Sequence, residues 1–166
     1  GWRNYYMGTQ YQKSTYNKYE NLFRWAAHKL KLQEKFERKK IWNDRFPRGS
    51  VYACYLGENI GDEKSKLVAR PCLIVSTDGI NYKSSNIIVI PLSKNVKYKN
   101  GSTSELKYSW HYVLKKSKYT ALNYDSAVQC EDIRSISKAR VGKFITKVDV
   151  NDMNQIRKRL KSALQI

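Results

Sequence analysis

Residues 69–76, Ala69-Arg70-Pro71-Cys72-Leu73-Ile74-Val75-Ser76, place a cation and a proline directly before an apolar run. Proline has no N–H to give to a β-ladder, so it belongs at the first residue of a strand, and the apolar residues behind it read as a short strand entering a core. The sequence therefore predicts a strand from Leu73 to Ser76 with the guanidinium of Arg70 at its entrance. A second string, Ile88-Val89-Ile90-Pro91-Leu92-Ser93-Lys94, belongs to a buried strand over Ile87–Leu92 that runs out into the hydroxyl of Ser93. Before Arg70, the stretch from Gly57 to Val68 is polar and punctuated by glycine, with Gly61, Asp62, Glu63 and Lys64. It reads as a loop long enough to fold over whatever Arg70 faces.

Working outward, Val51–Leu56, Trp110–Leu114 and Ala127–Cys130 read as further short strands, and Phe144–Val148 alternates as another. Short strands separated by polar turns predict a mainly β chain folded as a small barrel. Ser137 is placed to cap a short helix through Val141 that Gly142 ends. The chain closes with a helix in which Asn151 is the expected cap, Asp152 lies in the positive first turn, and Met153, Ile156, Leu160 and Leu164 share a face.

Pro47, Gly49 and Ser50 mark a boundary, because strand alternation is missing before them and recurs after them. Residues 1–46 then form a basic helical extension. Leu22, Ala26 and Leu30 recur at helical spacing, with Lys29, Lys31, Lys35, Arg38, Lys39 and Lys40 mostly on other faces. Two roles fit such an arm: packing on the domain through Phe23, Trp25, Leu30 and Phe36, or gripping nucleic acid and covering a site.

The 166 residues carry 32 Lys and Arg against 14 Asp and Glu, a net charge of +18. That surplus points to a polyanionic partner. An aromatic content of 13% argues against a disordered basic tail and for a folded chain. The three cysteines, Cys54, Cys72 and Cys130, make no C-x-x-C pair and sit in apolar or alternating stretches, so core thiols are expected rather than disulfides or a zinc site. The longest apolar run, Ile87 to Leu92, is far too short to span a bilayer, and the Tyr-rich start has no apolar signal region; the cytoplasm is the expected compartment.

The familiar catalytic signatures, among them the P-loop, H-E-x-x-H and G-x-S-x-G, are missing, and there are two histidines, His28 and His111. Catalysis would have to come from Arg, Ser, Glu, Tyr or a single His. That inventory suits RNA cleavage without metal or cofactor, because RNA brings its own nucleophile. A base takes the 2′-hydroxyl proton, a cation stabilises the charge that builds on phosphorus, and an acid protonates the departing 5′-oxygen.

Several strings in the same order resemble the MazF/PemK (Kid-like) toxins of bacterial toxin-antitoxin systems over residues 47–166. Arg48-Gly49-Ser50-Val51-Tyr52 is similar to the family's opening R-G-D strand, Gly61-Asp62-Glu63 to its G-S-E loop, and Arg70-Pro71 with its apolar strand to its R-P motif. Ile88 to Ser93 is similar to a strand that ends in threonine, and Asp125-Ser126-Ala127-Val128 through Glu131-Asp132-Ile133-Arg134-Ser135-Ile136 to the D-S-V and Q-I-R-T-I stretch.

The resemblance implies an SH3-like barrel with a terminal helix and a homodimer. It also implies a sequence-specific endoribonuclease, an mRNA interferase that leaves a 2′,3′-cyclic phosphate and a 5′-hydroxyl and is held in check by a cognate antitoxin, which on a surface this basic is expected to be acidic. Carried over by residue, Arg70 contacts the scissile phosphate, Ser93 stands where threonine is usual and donates to a phosphate oxygen, and Glu63 is the first candidate for the base, with His111 the second. Lys64, Lys94, Lys97, Tyr98 and Lys115 are the candidate RNA contacts, as cations and rings that can hold a backbone and stack on bases. Two rivals remain at this level. One is a non-enzymatic, CcdB-like toxin of the same fold that binds gyrase. The other is an RNA-binding module whose site has decayed.

Overall fold

A computed structural model describes residues 13–38, 44–61 and 68–166. The helix α1 spans Lys13–Glu37 and is followed by β1 (Ser50–Cys54), β2 (Arg70–Ile74), the short helix α2 (Asp78–Lys83) and β3 (Asn86–Ser93). Next come β4 (His111–Leu114), β5 (Ser126–Gln129), β6 (Arg134–Ser137), β7 (Val141–Lys147) and the closing helix α3 (Val150–Leu164). The strands form one seven-stranded sheet in the order β4-β5-β3-β2-β1-β7, with β6 also on β3, and the pairings are antiparallel throughout. This is the mainly β, SH3-like barrel architecture with a short and a terminal helix.

β3 is its spine. One edge pairs with β2; the other pairs with β6 near Asn86 and with β5 near Ser93. Because successive side chains alternate across a strand, both faces of this apolar strand must be covered. Ile90 and Leu92, with Leu73 and Val75, enter a core closed by Ile156 of α3. Ile87 and Val89, with Cys72 and Ile74, enter a second core that also holds Phe46, Ile136 and Val141. Each fully buried aliphatic side chain contributes about 1.5–3 kcal/mol, so the strand is fixed in register on both faces. The register of β1 on β7 shifts twice, after Val51 and after Tyr52. Such irregularities bend a strand and increase its twist.

Cys54, Cys72 and Cys130 are free and buried, as expected of core thiols. Burial, reinforced by the Glu131 carboxylate, pushes the Cys130 thiol up to about 12.

Several local expectations need correction. The cap of α3 is Asp149, whose carboxylate accepts from the Asp152 amide at 2.8 Å, while Asn151 lies inside the helix. Ser137 does cap a turn, accepting from Ala139 N, but the turn is a single 3-10 turn, Lys138–Arg140, and Gly142 belongs to β7. Its backbone freedom is not what matters there; a Cβ at Gly142 would meet the carbonyl of Ala53 at 2.9 Å. β2 begins at Arg70 and not at Leu73, and α2 and β6 were not expected at all.

The extension packs through Trp25, one of the side chains expected to hold it, and not along the apolar repeat of Leu22, Ala26 and Leu30. Trp25 is buried, with 4% exposed, whereas Phe23 and Leu30 are 81% and 68% exposed. The indole stacks on His28, centroids 5.0 Å apart, and His28 in turn meets Tyr55 at 5.2 Å. Beneath Trp25 lies Gly57, with φ of +73°, where a Cβ would stand 1.8 Å from the indole Cε2. Lys18 pairs with Glu58, and Lys35 Nζ donates to the Val141 carbonyl at 2.8 Å. The contact stripe therefore mixes one aromatic anchor with lysine stems and a histidine, which a count of apolar residues does not pick out.

Candidate active site

β2 and β3 pair as Cys72↔Pro91, Leu73↔Ile90 and Ile74↔Val89. Carried two residues towards the start of β2, the same register sets Arg70 opposite Ser93 at the end of β3. The cation and the hydroxyl thus come from separate parts of the sequence to one end of a strand pair. Arg70 Nη1 donates to the Leu92 carbonyl at 3.0 Å, which fixes the plane of the guanidinium beside the strand end. Ser93 Oγ accepts from the Asn95 amide at 3.2 Å, so its O–H remains available to donate.

Arg70 and Ser93 line one open cleft of about 400 Å³, together with Lys94, Asn95, Asn123 and Tyr124. Ser93 is sunk in it with 6% of its surface exposed. On the far side, Ser126 Oγ donates to the Tyr124 carbonyl at 3.0 Å, and Lys116 Nζ donates to the Leu122 carbonyl at 2.8 Å. Among the described residues that line it, the charged side chains are both cations, Arg70 and Lys94. A cleft of this kind favours an anion and places two kinds of hydrogen-bond donor, guanidinium and hydroxyl, within one wall.

The other expected site residues fall in three places. Glu63 and Lys64 lie outside the described residues. His111 sits on β4, fully buried, with Nε2 2.7 Å from Glu131 Oε1 and its ring edge-on to Tyr108 at 5.1 Å. It does not line the cleft, and its Nδ1 has no hydrogen-bond partner among the described residues. Of the expected RNA contacts, Lys94 reaches the cleft, its ammonium 5.8 Å from the centroid of the Tyr124 ring. Lys97 and Tyr98 lie in the β3–β4 connection, where Tyr98 forms an isolated bridge with Leu106. Lys115 is exposed and pairs with Asp125 at 3.4 Å. Sequence reasoning overlooked Asn95, Asn123, Tyr124 and Ser126. The signal for Asn123 and Tyr124 is their place just before the Asp125-Ser126 string; only the folded connection shows that they line the same cleft as Arg70.

A sequence model described as PemK-like, MazF-like toxin of type II toxin-antitoxin system matches residues 47–164. The chain belongs to that family. The endoribonuclease MazF of Staphylococcus saprophyticus is 28% identical over 117 residues, which are 70% of this chain and 89% of that protein. Among solved structures, MazF from Deinococcus radiodurans superposes with a TM-score of 0.58 at 17% identity, over 74% of this chain and 99% of that one. An endoribonuclease in complex with its cognate antitoxin, from a mycobacterial species, gives a TM-score of 0.56 at 23% identity, over 73% and 96% of the two chains. Both show the same PemK/MazF fold. The match begins at residue 47, so α1 precedes the part shared with the family.

Proposed function

We propose that this PemK/MazF-family chain is an endoribonuclease toxin that cuts single-stranded RNA at short sequences without a metal. The observation that carries the reading is the convergence of Arg70 and Ser93, from β2 and β3, on one cleft whose described charges are positive. A bound strand would lay its scissile phosphate between them. The 2′-oxygen then forms a bond to phosphorus as its proton passes to a base, and the bond to the 5′-oxygen breaks as that oxygen gains a proton. The products are a 2′,3′-cyclic phosphate and a 5′-hydroxyl. Arg70 and Ser93 act on the phosphoryl oxygens, where negative charge builds as the phosphorane forms. The base is Glu63, seven residues before Arg70 in the sequence, and His111 takes no part.

Residues 47–166 form the toxin domain in this reading and residues 1–46 an extension to it. The site works in the cytoplasm as part of a homodimer, and an acidic cognate antitoxin silences it by lying in the cationic cleft. The +18 net charge supports both an RNA substrate and an anionic protein partner.

Mixed-sequence single-stranded RNA incubated in chelator should yield cyclic-phosphate ends. Arg70→Ala should abolish them and Ser93→Ala should lower the rate sharply. Intact RNA together with stalled gyrase would replace this reading by that of a gyrase-binding toxin. RNA that is bound but never cut would leave a decayed site.

A further inference from the structure

The cleft has a wall that the phosphate chemistry does not use. Tyr124 is 58% exposed, in contrast to the buried Tyr119 a few residues earlier. Its backbone is nevertheless fixed on both sides. Ser126 Oγ donates to its carbonyl, Lys116 N donates to Asp125 Oδ1 at 2.8 Å, and Lys116 Nζ holds the Leu122 carbonyl. A ring held out in water on a pinned backbone costs little further ordering when a flat ligand lands on it. Asn95 and Asn123 are exposed as well, and both line the same cleft as Arg70 and Ser93.

We propose that Tyr124, Asn95 and Asn123 form the base-reading wall of the site: an unpaired base next to the scissile linkage stacks on the Tyr124 ring while the two amides read its edge. The inference rests on the nuclease reading given above. Stacking on an aromatic ring needs a base splayed out of its helix, so the wall takes single strands and leaves duplexes alone. An amide offers one acceptor and two donors, which suit a base edge and do little for a phosphate. Lys94, whose ammonium lies over one face of the ring, supplies the charge that keeps the adjoining phosphate close and leaves the other face to the base.

Randomised single-stranded RNA is cut by the wild-type protein and by Tyr124→Ala, Tyr124→Phe, Asn95→Ala and Asn123→Ala, and the new 5′-hydroxyl ends are sequenced. On one RNA that the wild type cuts, Tyr124→Ala should raise KM about tenfold to a hundredfold while kcat holds. It should also flatten the base preference at one position beside the cut. Tyr124→Phe keeps the ring face and should keep both properties. The asparagine variants should change which base is preferred there. A Tyr124→Ala protein with wild-type KM and an unchanged base preference would refute the wall. A 2′-O-methyl RNA lacks the nucleophile and so reads binding alone, by fluorescence anisotropy. Tyr124→Ala should bind it about tenfold to a hundredfold more weakly than the wild type. Equal binding overturns the inference even if the wild type cuts no RNA, and the absence of cutting by itself overturns only the nuclease reading.

Discussion

The guanidinium of Arg70 is tied through Nη1 to the carbonyl of Leu92, 3.0 Å away, one residue short of Ser93. The same peptide segment therefore aims the arginine and carries the hydroxyl, so a shift of β3 relative to β2 would misplace both.

Lysine at position 70 keeps the charge and loses the fork that can hold the Leu92 carbonyl and a phosphate oxygen together. Arg70→Lys should fold normally and cut RNA at least about 10²-fold more slowly, as does removal of one preorganised donor elsewhere. Single-turnover cleavage alongside a thermal melt measures both. Near wild-type cutting by the lysine protein would mean that bare charge is enough.

In the proposed function His111 is a structural residue. Its ring is buried against Tyr108 and bonded to Glu131, away from the cleft. His111→Ala should cost about 1–3 kcal/mol of stability by leaving a hole and removing a buried hydrogen bond. At temperatures where the variant stays folded, its single-turnover rate should match the wild type; a rate loss like that of Arg70→Ala would return His111 to the chemistry.

Asp152 joins α3 to β4 and to the turn after it. It accepts from Tyr112 OH, from Tyr119 OH at 2.5 Å and from Lys118 Nζ at 2.9 Å. Burial pushes this carboxyl up, but the hydrogen bonds from Tyr112, Tyr119 and Lys118 outweigh it and leave it below the ordinary 3.8. A carboxyl depressed in the folded state stabilises above its unfolded value, and that stability disappears as pH falls through the folded one. Burial, then the hydrogen bond to Asp152, pushes Tyr112 and Tyr119 up to about 12, so their share is complete below 10 and is lost as pH rises towards 12. Denaturant melts across pH should show a plateau between ~4 and ~10. Asp152→Asn should lower that plateau by about 2 kcal/mol and flatten the acid limb. An acid limb identical to that of the wild type would assign the loss to other carboxyls.

Gly57 lies under the indole of Trp25 in a left-handed conformation. Alanine there is strained by its φ and collides with the ring, so Gly57→Ala should release α1 from the barrel while the two cores persist. Hydrogen exchange should then lose protection over Leu22–Phe36 and keep it over β3. Trp25→Ala should act the same way, at a cost of about 3 kcal/mol. Retained protection in both variants would show that the lysine contacts suffice to hold the helix.

The sequence displayed the strands around Arg70 and Ser93 because Pro71 and the apolar runs announce strand starts and buried cores through local chemistry alone. It could not display that Asn123 and Tyr124 share a cleft with Arg70, since that depends on where the β4–β5 connection lies in the fold. α2 escaped notice because it has six residues and a glycine at its second position, and the Thr77 side chain caps it more than any apolar period marks it. The buried face of α1 departs from its apolar repeat for a related reason. Leu22, Ala26 and Leu30 carry the helical repeat, but the indole of Trp25 fits the hollow that Gly57 leaves. Shape complementarity decided the contact, and a periodicity count does not contain shape.

The seat of Trp25 on Gly57 also bears on ancestry. The positive φ already favours glycine at position 57, and an indole above it excludes every side chain, so relatives that carry the tryptophan should carry the glycine without exception. Lineages without the leading helix are free to place any side chain that tolerates the turn there, and the glycine thereby becomes a sequence marker for proteins that carry the arm.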